Sequence, residues 1–236
     1  MVVEIQDRSV FYWKFNYKLN SDNVDEMKNN NIRKIKFVDN YNFEIDNLPD
    51  GITHLFLPKN YNKNIDNLPN TITHIYLNDC YNKELNYLPS SIKFIQFNSS
   101  YSCKINNLSN NLRELKLPLY YNKKINNLPN LDLLDIGIEF YKKINLPKTI
   151  KQLYIGEYYD MIFSQNCYNL EYLYFNVLHL IRFDTLINYI VSNINKINDK
   201  INIVIRLPNN YSNNQFKVLN ELTKIHTNIS YEYIKN

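Results

Sequence analysis

Two histidines, His54 and His74, stand in nearly identical phrases, DGITHLFL and PNTITHIYL. On neighbouring strands their imidazoles would lie ~4.8 Å apart at the backbone, close enough to share a metal ion. The next positions in that register are Phe94 and Glu114, so no third ligand follows, and the pair reads as a shared surface column. Asp46 and Asp66 recur in IDNLP, and paired carboxylates can do acid–base work. These two are one repeat apart beside a Leu-Pro corner, where turn chemistry is the better reading. Cys80 and Cys103 fall near aromatic corners with no base in register, and read as packing residues. Lysines recur at Lys63, Lys83, Lys123 and Lys142, with Lys104, Lys124 and Lys143 beside them, which makes a basic stripe. Nucleic-acid binding would need aromatics interleaved with that stripe, and the tyrosines at those corners read as inward-facing. The stripe therefore reads as a solvated face. The chain contains no P-loop, G-x-G-x-x-G, G-x-S-x-G or H-E-x-x-H, and only three glycines. No catalytic residue, metal or cofactor is expected.

The elements that would position these residues come from a repeat. An aromatic opens each unit at Tyr41, Tyr61, Tyr81, Tyr101 and Tyr121, a period of twenty, and Phe140 follows nineteen later. Behind it run two apolar columns. The first is Ile45, Ile65, Leu85, Ile105, Ile125 and Ile144; the second is Leu48, Leu68, Leu88, Leu108, Leu128 and Leu146. Proline follows the second column in every unit but one, where Ser109 stands. Then comes I-x-x-L-x-L, from Ile32-Ile35-Phe37 through Ile150-Leu153-Ile155 to a weaker Leu170-Leu173-Phe175. Its last two apolar positions alternate with polar or aromatic ones, the period of a strand with one buried face. Proline fixes φ and has no N–H, so it belongs at a corner.

The expected fold is a solenoid of ~20-residue repeats, leucine-rich-repeat-like. A parallel sheet forms one face, the other is mostly irregular, and an α/β cap closes the C-terminus. The recurring Asn42, Asn62, Asn82 and Asn122 are placed to bond backbone groups of their own and the neighbouring coil. Outward positions form two columns. One runs Lys34, His54, His74, Phe94, Glu114, Leu133, Gln152, Tyr172, and the other Lys36, Phe56, Tyr76, Gln96, Lys116, Asp135, Tyr154, Tyr174. Large aromatic side chains on an open sheet are interface anchors. His54, Phe56, His74, Tyr76, Phe94, Tyr154, Tyr172 and Tyr174 are thus the candidate partner-binding residues.

The phrase YNKNIDNLPNTITHIYL resembles the FNIP repeat, a relative of the leucine-rich repeats with the core F-N-x-x-I-P. Here Tyr replaces Phe, and Pro69 sits four positions after Ile65. The resemblance holds in register over residues 32–176 and implies a leucine-rich-type solenoid that mediates protein–protein contacts. Proteins of this type occur in amoebae and amoebal giant viruses, some with an N-terminal F-box that recruits ubiquitin ligase. That implies an alternative role as a ligase substrate receptor or host-interaction protein. The opening MVVEIQDRSVFYWKFNYKLN shows no amphipathic helical run, so no F-box is expected.

Residues 1–31 read as an N-terminal cap, 32–176 as the solenoid and 177–236 as an α-β-α-β C-terminal cap. At the front, Val10 to Tyr17 reads as a strand and Asn23 to Lys28 as a short helix. At the back, Asp184 could cap a helix carrying Ile187, Ile190, Val191, Ile194 and Ile197 on one face. A strand at Ile201–Leu207, a helix at Gln215–His226 and a strand at Ile229–Ile234 follow. Net charge is only +4 in 236 residues, so no general attraction to nucleic acid or membrane is demanded. No leader and no long apolar run appears, and the three cysteines form no CxxC pair. An intracellular, cytoplasmic protein with a protein partner, and neither nucleic acid nor membrane, is the expectation.

Overall fold

The computed structural model describes residues 10–13, 17–156, 169–177, 183–193, 200–207 and 213–233. They fall into two units. The first ends at Pro118 and also takes Ile125–Asn130; the second takes Leu119–Lys124 and the chain from Leu131 onward.

The first unit holds β1 (Val10–Trp13), α1 (Ser21–Asn29), β2 (Lys34–Phe37), β3 (His54–Phe56), β4 (His74–Tyr76), β5 (Phe94–Gln96) and β6 (Glu114–Lys116). Each strand pairs in parallel with the next in sequence. Because the repeat length is constant, like positions meet. Ile35, Leu55, Ile75, Ile95 and Leu115 form one register row, every member buried.

Two turns complete each coil. At the first, Ile52, Ile72 and Ile92 donate their N–H to the carbonyls of Pro49, Pro69 and Pro89, at 3.4, 3.1 and 3.2 Å. Proline serves there because only its carbonyl is used; Ser109 does the same for Leu112 at 3.0 Å. At the second, Tyr61 and Tyr81 donate to the carbonyls of Pro58 and Asn78 at 3.1 and 3.0 Å. The tyrosines then turn inward: Tyr41, Tyr61, Tyr81 and Tyr101 are all buried. The second apolar column fades, with Leu48 and Leu68 buried but Leu88 and Leu108 half-exposed.

The asparagine column does bond the neighbouring coil. Asn62 Oδ1 accepts the Asn82 N–H at 2.9 Å, and Asn82 Oδ1 accepts those of Ser102 and Cys103 at 2.9 and 3.1 Å. Threonine and serine hydroxyls add a second tie at the strand entrance. Thr71 donates to the Ile52 carbonyl and Ser91 to that of Ile72.

Helix α1 starts two residues before the sequence expectation. Asn20 is its N-cap, accepting the Asn23 N–H at 3.0 Å while its own N–H donates to Asn23 Oδ1 at 3.2 Å. The helix buries Asn23 and Met27. Strand β1 covers Val10–Trp13 of the expected Val10–Tyr17; residues 14–16 lie outside the described residues, and Tyr17 is not in the strand.

The second unit holds β7 (Leu133–Asp135), β8 (Gln152–Ile155), β9 (Tyr172–Asn176), α2 (Phe183–Asn193), β10 (Asn202–Leu207), α3 (Asn213–Ile225) and β11 (Ile229–Tyr233). Its strands also pair in parallel in chain order, so β10 continues from β9 and β11 from β10. Leu134, Leu153, Leu173, Ile203 and Ile229 make its buried row. Asp184 lies within the first turn of α2, where its charge suits the helix dipole. Leu186, Ile187 and Ile190 are its buried positions; Ile194 and Ile197 lie outside the described residues, as does the Val191 side chain. In α3, Leu219 and Leu222 are buried; the Phe216 side chain, Ile234 and Cys167 are outside the described residues.

One close approach depends on glycine. A Cβ on Gly156 would lie 2.2 Å from the Ile138 Cα, so the coils can pass only with hydrogen at that position.

Candidate functional site

Strand alternation leaves two outward rows on the first unit's sheet. The register pairs Lys34, His54, His74, Phe94 and Glu114 in one, and Lys36, Phe56, Tyr76, Gln96 and Lys116 in the other. Parallel pairing at constant period stacks like rings. His54 and His74 lie with centroids 4.0 Å apart and planes 7° from parallel. Phe56 and Tyr76 stack at 4.2 Å and 8°. Phe94 gathers the two rows, at 5.5 Å from His74 and 5.0 Å from Tyr76, and the Lys116 ammonium stands 5.7 Å from its centroid.

Phe94 departs from the sequence expectation. It is only 7% exposed, so it is not an open anchor. Its register row neighbour across from Tyr76 is Gln96, which leaves space for the Phe94 ring to lean toward Tyr76, and Lys116 closes the other side. His54, Phe56, His74 and Tyr76 are half-buried: each covers its neighbour and shows solvent one edge.

The histidine tautomer follows from hydrogen-bond accounting. The Thr53 hydroxyl donates its proton to the Arg33 carbonyl at 3.0 Å and lies 2.9 Å from His54 Nδ1. Thr73 repeats this, to the Thr53 carbonyl at 3.2 Å and to His74 Nδ1 at 2.8 Å. A hydroxyl has one proton, so each threonine accepts from Nδ1–H, and each Nε2 keeps its lone pair. Burial, then the His74 and Lys34 charges, hold His54 down at about 4. His74 is lowered too, by burial first and by Lys93 and Lys34, against a smaller opposing pull from Glu114. Both rings are neutral at physiological pH. Being parallel, they send their Nε2 lone pairs out side by side and not to a common point. Among the described residues no cluster of three or more His, Cys, Asp or Glu is placed to hold a metal ion.

The second unit carries its own ladder. Tyr154 and Tyr174 stack at 4.1 Å and 2°, and Tyr172 lies 6.0 Å from Tyr174. The Arg206 guanidinium stands 5.7 Å from the Tyr154 centroid and ion-pairs with Glu232 at 2.8 Å. Burial and the neighbouring Tyr174 push the Tyr154 phenol up to about 12. Tyr172, at 37% exposed, is the most open of the candidate residues.

The remaining candidates sit elsewhere. Asp46 and Asp66 lie at the Leu-Pro corners, away from the strand face. Cys80 is exposed, contrary to the packing role expected of it, because it precedes the inward Tyr81 and points off the turn. In the lysine stripe, Lys63 pairs with Glu44 at 3.0 Å and holds that carboxyl below its usual range, while Lys142 lies 4.7 Å from the Tyr141 centroid. Two tyrosines beside the stripe in the second unit, Tyr120 and Tyr141, are exposed. Thr53, Thr73 and Arg206 were not singled out from the sequence, although the repeated Thr-His dipeptide was the signal for the first two.

In the first unit the buried and corner residues recur from coil to coil, while the outward rows change along the sheet apart from the like pairs His54–His74 and Phe56–Tyr76. Residues 61–100 match the family model FNIP Repeat. The chain carries the FNIP repeat there. No curated protein matches it. The FNIP match spans the two coils that carry β4 and β5, and hence His74, Tyr76 and Phe94. The same frame, in the same parallel register, extends through the coils on either side of it within the first unit.

Proposed function

We propose that this repeat protein is a non-catalytic scaffold that binds another protein through its outward strand faces. The observation that carries the reading is the separation of roles. Inward and corner positions repeat, and the outward rows change along the sheet and concentrate stacked aromatics. Half-buried rings held by their neighbours lose little conformational freedom on docking, which favours an interface. Residues 177–236 act in this reading as a cap, supported by the pairing of β10 onto β9. No helix among the described residues is long and apolar enough to cross a membrane, and Cys80 and Cys103 are free thiols. A cytoplasmic setting agrees with both. A ligase-linked receptor role is a special case of the same scaffold, in which the partner is a ubiquitin-ligase substrate or adaptor.

The test uses a photo-crosslinking residue placed at Gln96 on the strand face or at Asn86 on the opposite side, in cells that make the protein. Crosslinks from Gln96 alone are expected, and Phe56→Asp with Tyr76→Asp should abolish them. Equal crosslinking from Asn86 would refute a strand-face interface. Tyr154→Asp tests the second unit separately. Exposed Tyr120 and Tyr141 beside Lys123, Lys124, Lys142 and Lys143 favour a second reading, single-stranded nucleic acid on the coil side. It predicts salt-sensitive retention on single-stranded DNA that Tyr120→Ala and Tyr141→Ala weaken.

A further inference from the structure

The outward face of the first unit has a charge pattern as well as a shape. Lys34 and Lys36 on β2 flank the ring ladder at one end, and neither has an ion-pair partner among the described residues. Elsewhere Lys28 and Lys63 are paired, with Asp25 and Glu44. At the other end β6 supplies Lys116 together with the one carboxylate in these two rows, Glu114. The histidines between add no charge, because burial and the surrounding cations keep them neutral, and each offers only an acceptor at Nε2.

We infer that this face takes an extended acidic segment of a partner protein lying across the strands. Its carboxylates meet Lys34 and Lys36, and an apolar or aromatic side chain rests on Phe56 and Tyr76. The inference rests on the strand-face reading above and adds the chemistry of the occupant. The spacing sets its length. From β2 to β6 there are four strand intervals of ~4.8 Å, roughly 19 Å in all. An extended chain covers that in about six residues. A segment with an acidic group at one end, a ring or branched side chain near its middle and a second acidic group about six residues on therefore matches both cation sites. Glu114 weakens the far site, so Lys34 and Lys36 dominate. The His54 and His74 Nε2 atoms accept donors from the segment's main chain or amide side chains. A basic segment would meet three lysines, Lys34, Lys36 and Lys116, and find no carboxylate in these rows but Glu114. Nucleic acid would need a continuous cation track, which the neutral ring ladder interrupts.

The experiment selects a random twelve-residue peptide library, displayed on phage, against the full chain. Parallel selections use Lys34→Glu/Lys36→Glu and Phe56→Asp/Tyr76→Asp, each with an unchanged circular dichroism spectrum. Native protein should enrich peptides with Asp or Glu about six positions apart around an aromatic or branched residue. Those peptides should lose at least about tenfold in affinity on either variant, by fluorescence anisotropy, since the double reversal turns two attractive contacts into two repulsive ones and the other variant puts two carboxylates under the apolar side chain. The charge-reversed chain should enrich Lys or Arg at one end instead. Peptides lost on Phe56→Asp/Tyr76→Asp but indifferent to charge reversal would overturn the acidic segment and leave the interface standing. Peptides indifferent to both variants would overturn both readings. Failure to enrich any peptide would overturn the linear segment.

Discussion

The inward tyrosines divide into two chemical classes, and a pair of hydroxyl deletions separates them. Tyr81 and Tyr101 occupy the same repeat position one coil apart, with parallel rings 6.5 Å from centroid to centroid. Both are buried, at 1% and 4% exposure. The Tyr101 hydroxyl donates to the Lys83 carbonyl at 3.1 Å, whereas the Tyr81 hydroxyl is buried with no partner among the described residues. Burial accordingly pushes the Tyr81 phenol above its ordinary range. Tyr101→Phe removes a made bond and strands a carbonyl, which costs about 0.5–1.5 kcal/mol for the bond alone. Tyr81→Phe removes an unsatisfied group and keeps the ring. Relief of its desolvation, worth about 1–3 kcal/mol for such a group, makes the change neutral or stabilising. The difference between the variants should therefore reach at least about 1 kcal/mol, with Tyr81→Phe the more stable. Urea unfolding followed by circular dichroism reads this, provided the slope with denaturant is unchanged. Equal destabilisation of the two would refute the assignment and show that the Tyr81 hydroxyl is bonded, for instance to an internal water.

Asn82→Ala removes the acceptor for the Ser102 and Cys103 N–H groups. A loss of about 1–2 kcal/mol and faster amide hydrogen exchange at those two residues are expected; unchanged exchange would mean that other groups hold that corner. Gly156→Ala places a Cβ 2.2 Å from the Ile138 Cα, so overpacking should cost roughly 1–3 kcal/mol in thermal unfolding, while stability equal to the parent would show that the coils can part there. The histidine pair predicts a pH dependence. His54 is held at about 4 in the fold and sits near 6.5 unfolded, so the unfolded chain binds more protons between those values. His54's contribution to stability is complete above about pH 6.5 and is lost as pH falls toward about 4. Its ring resonances, followed by NMR, should titrate with a midpoint well below that of a free imidazole, and an ordinary midpoint would contradict the stacked, Thr-locked pair.

The direction the strand side chains face was legible in the first unit because two local signals agree. Alternation over I-x-x-L-x-L separates inward from outward, and a constant period of twenty makes like positions meet in a parallel sheet. Ile35 through Leu115 fall in register for that reason alone. The corner prolines, the inward tyrosines and the asparagine ties follow from the same logic, since each role is satisfied within one coil or between adjacent copies. The start of α1 was less legible. Asn20 belongs to a chain in which asparagine is commonplace, and its cap is recognised only by the reciprocal bond to Asn23.

What needed the tertiary structure was everything set by the size and reach of neighbours and not by periodicity. Phe94 is outward by alternation yet buried, because Gln96 leaves it room to lean on Tyr76 and Lys116 covers its far side. The tautomer of His54 depends on a carbonyl at Arg33, one coil back, which consumes the Thr53 proton. Tyr81 and Tyr101 are the same residue at the same repeat position, and only the local reach of the backbone decides that one hydroxyl is bonded and the other is not. Sequence by itself determined the coil, its parallel register and which residues face outward, because those are consequences of spacing. Only the folded chain decided which outward groups meet solvent, which are neutral and which stand unpaired, because burial and hydrogen bonding are properties of a whole neighbourhood.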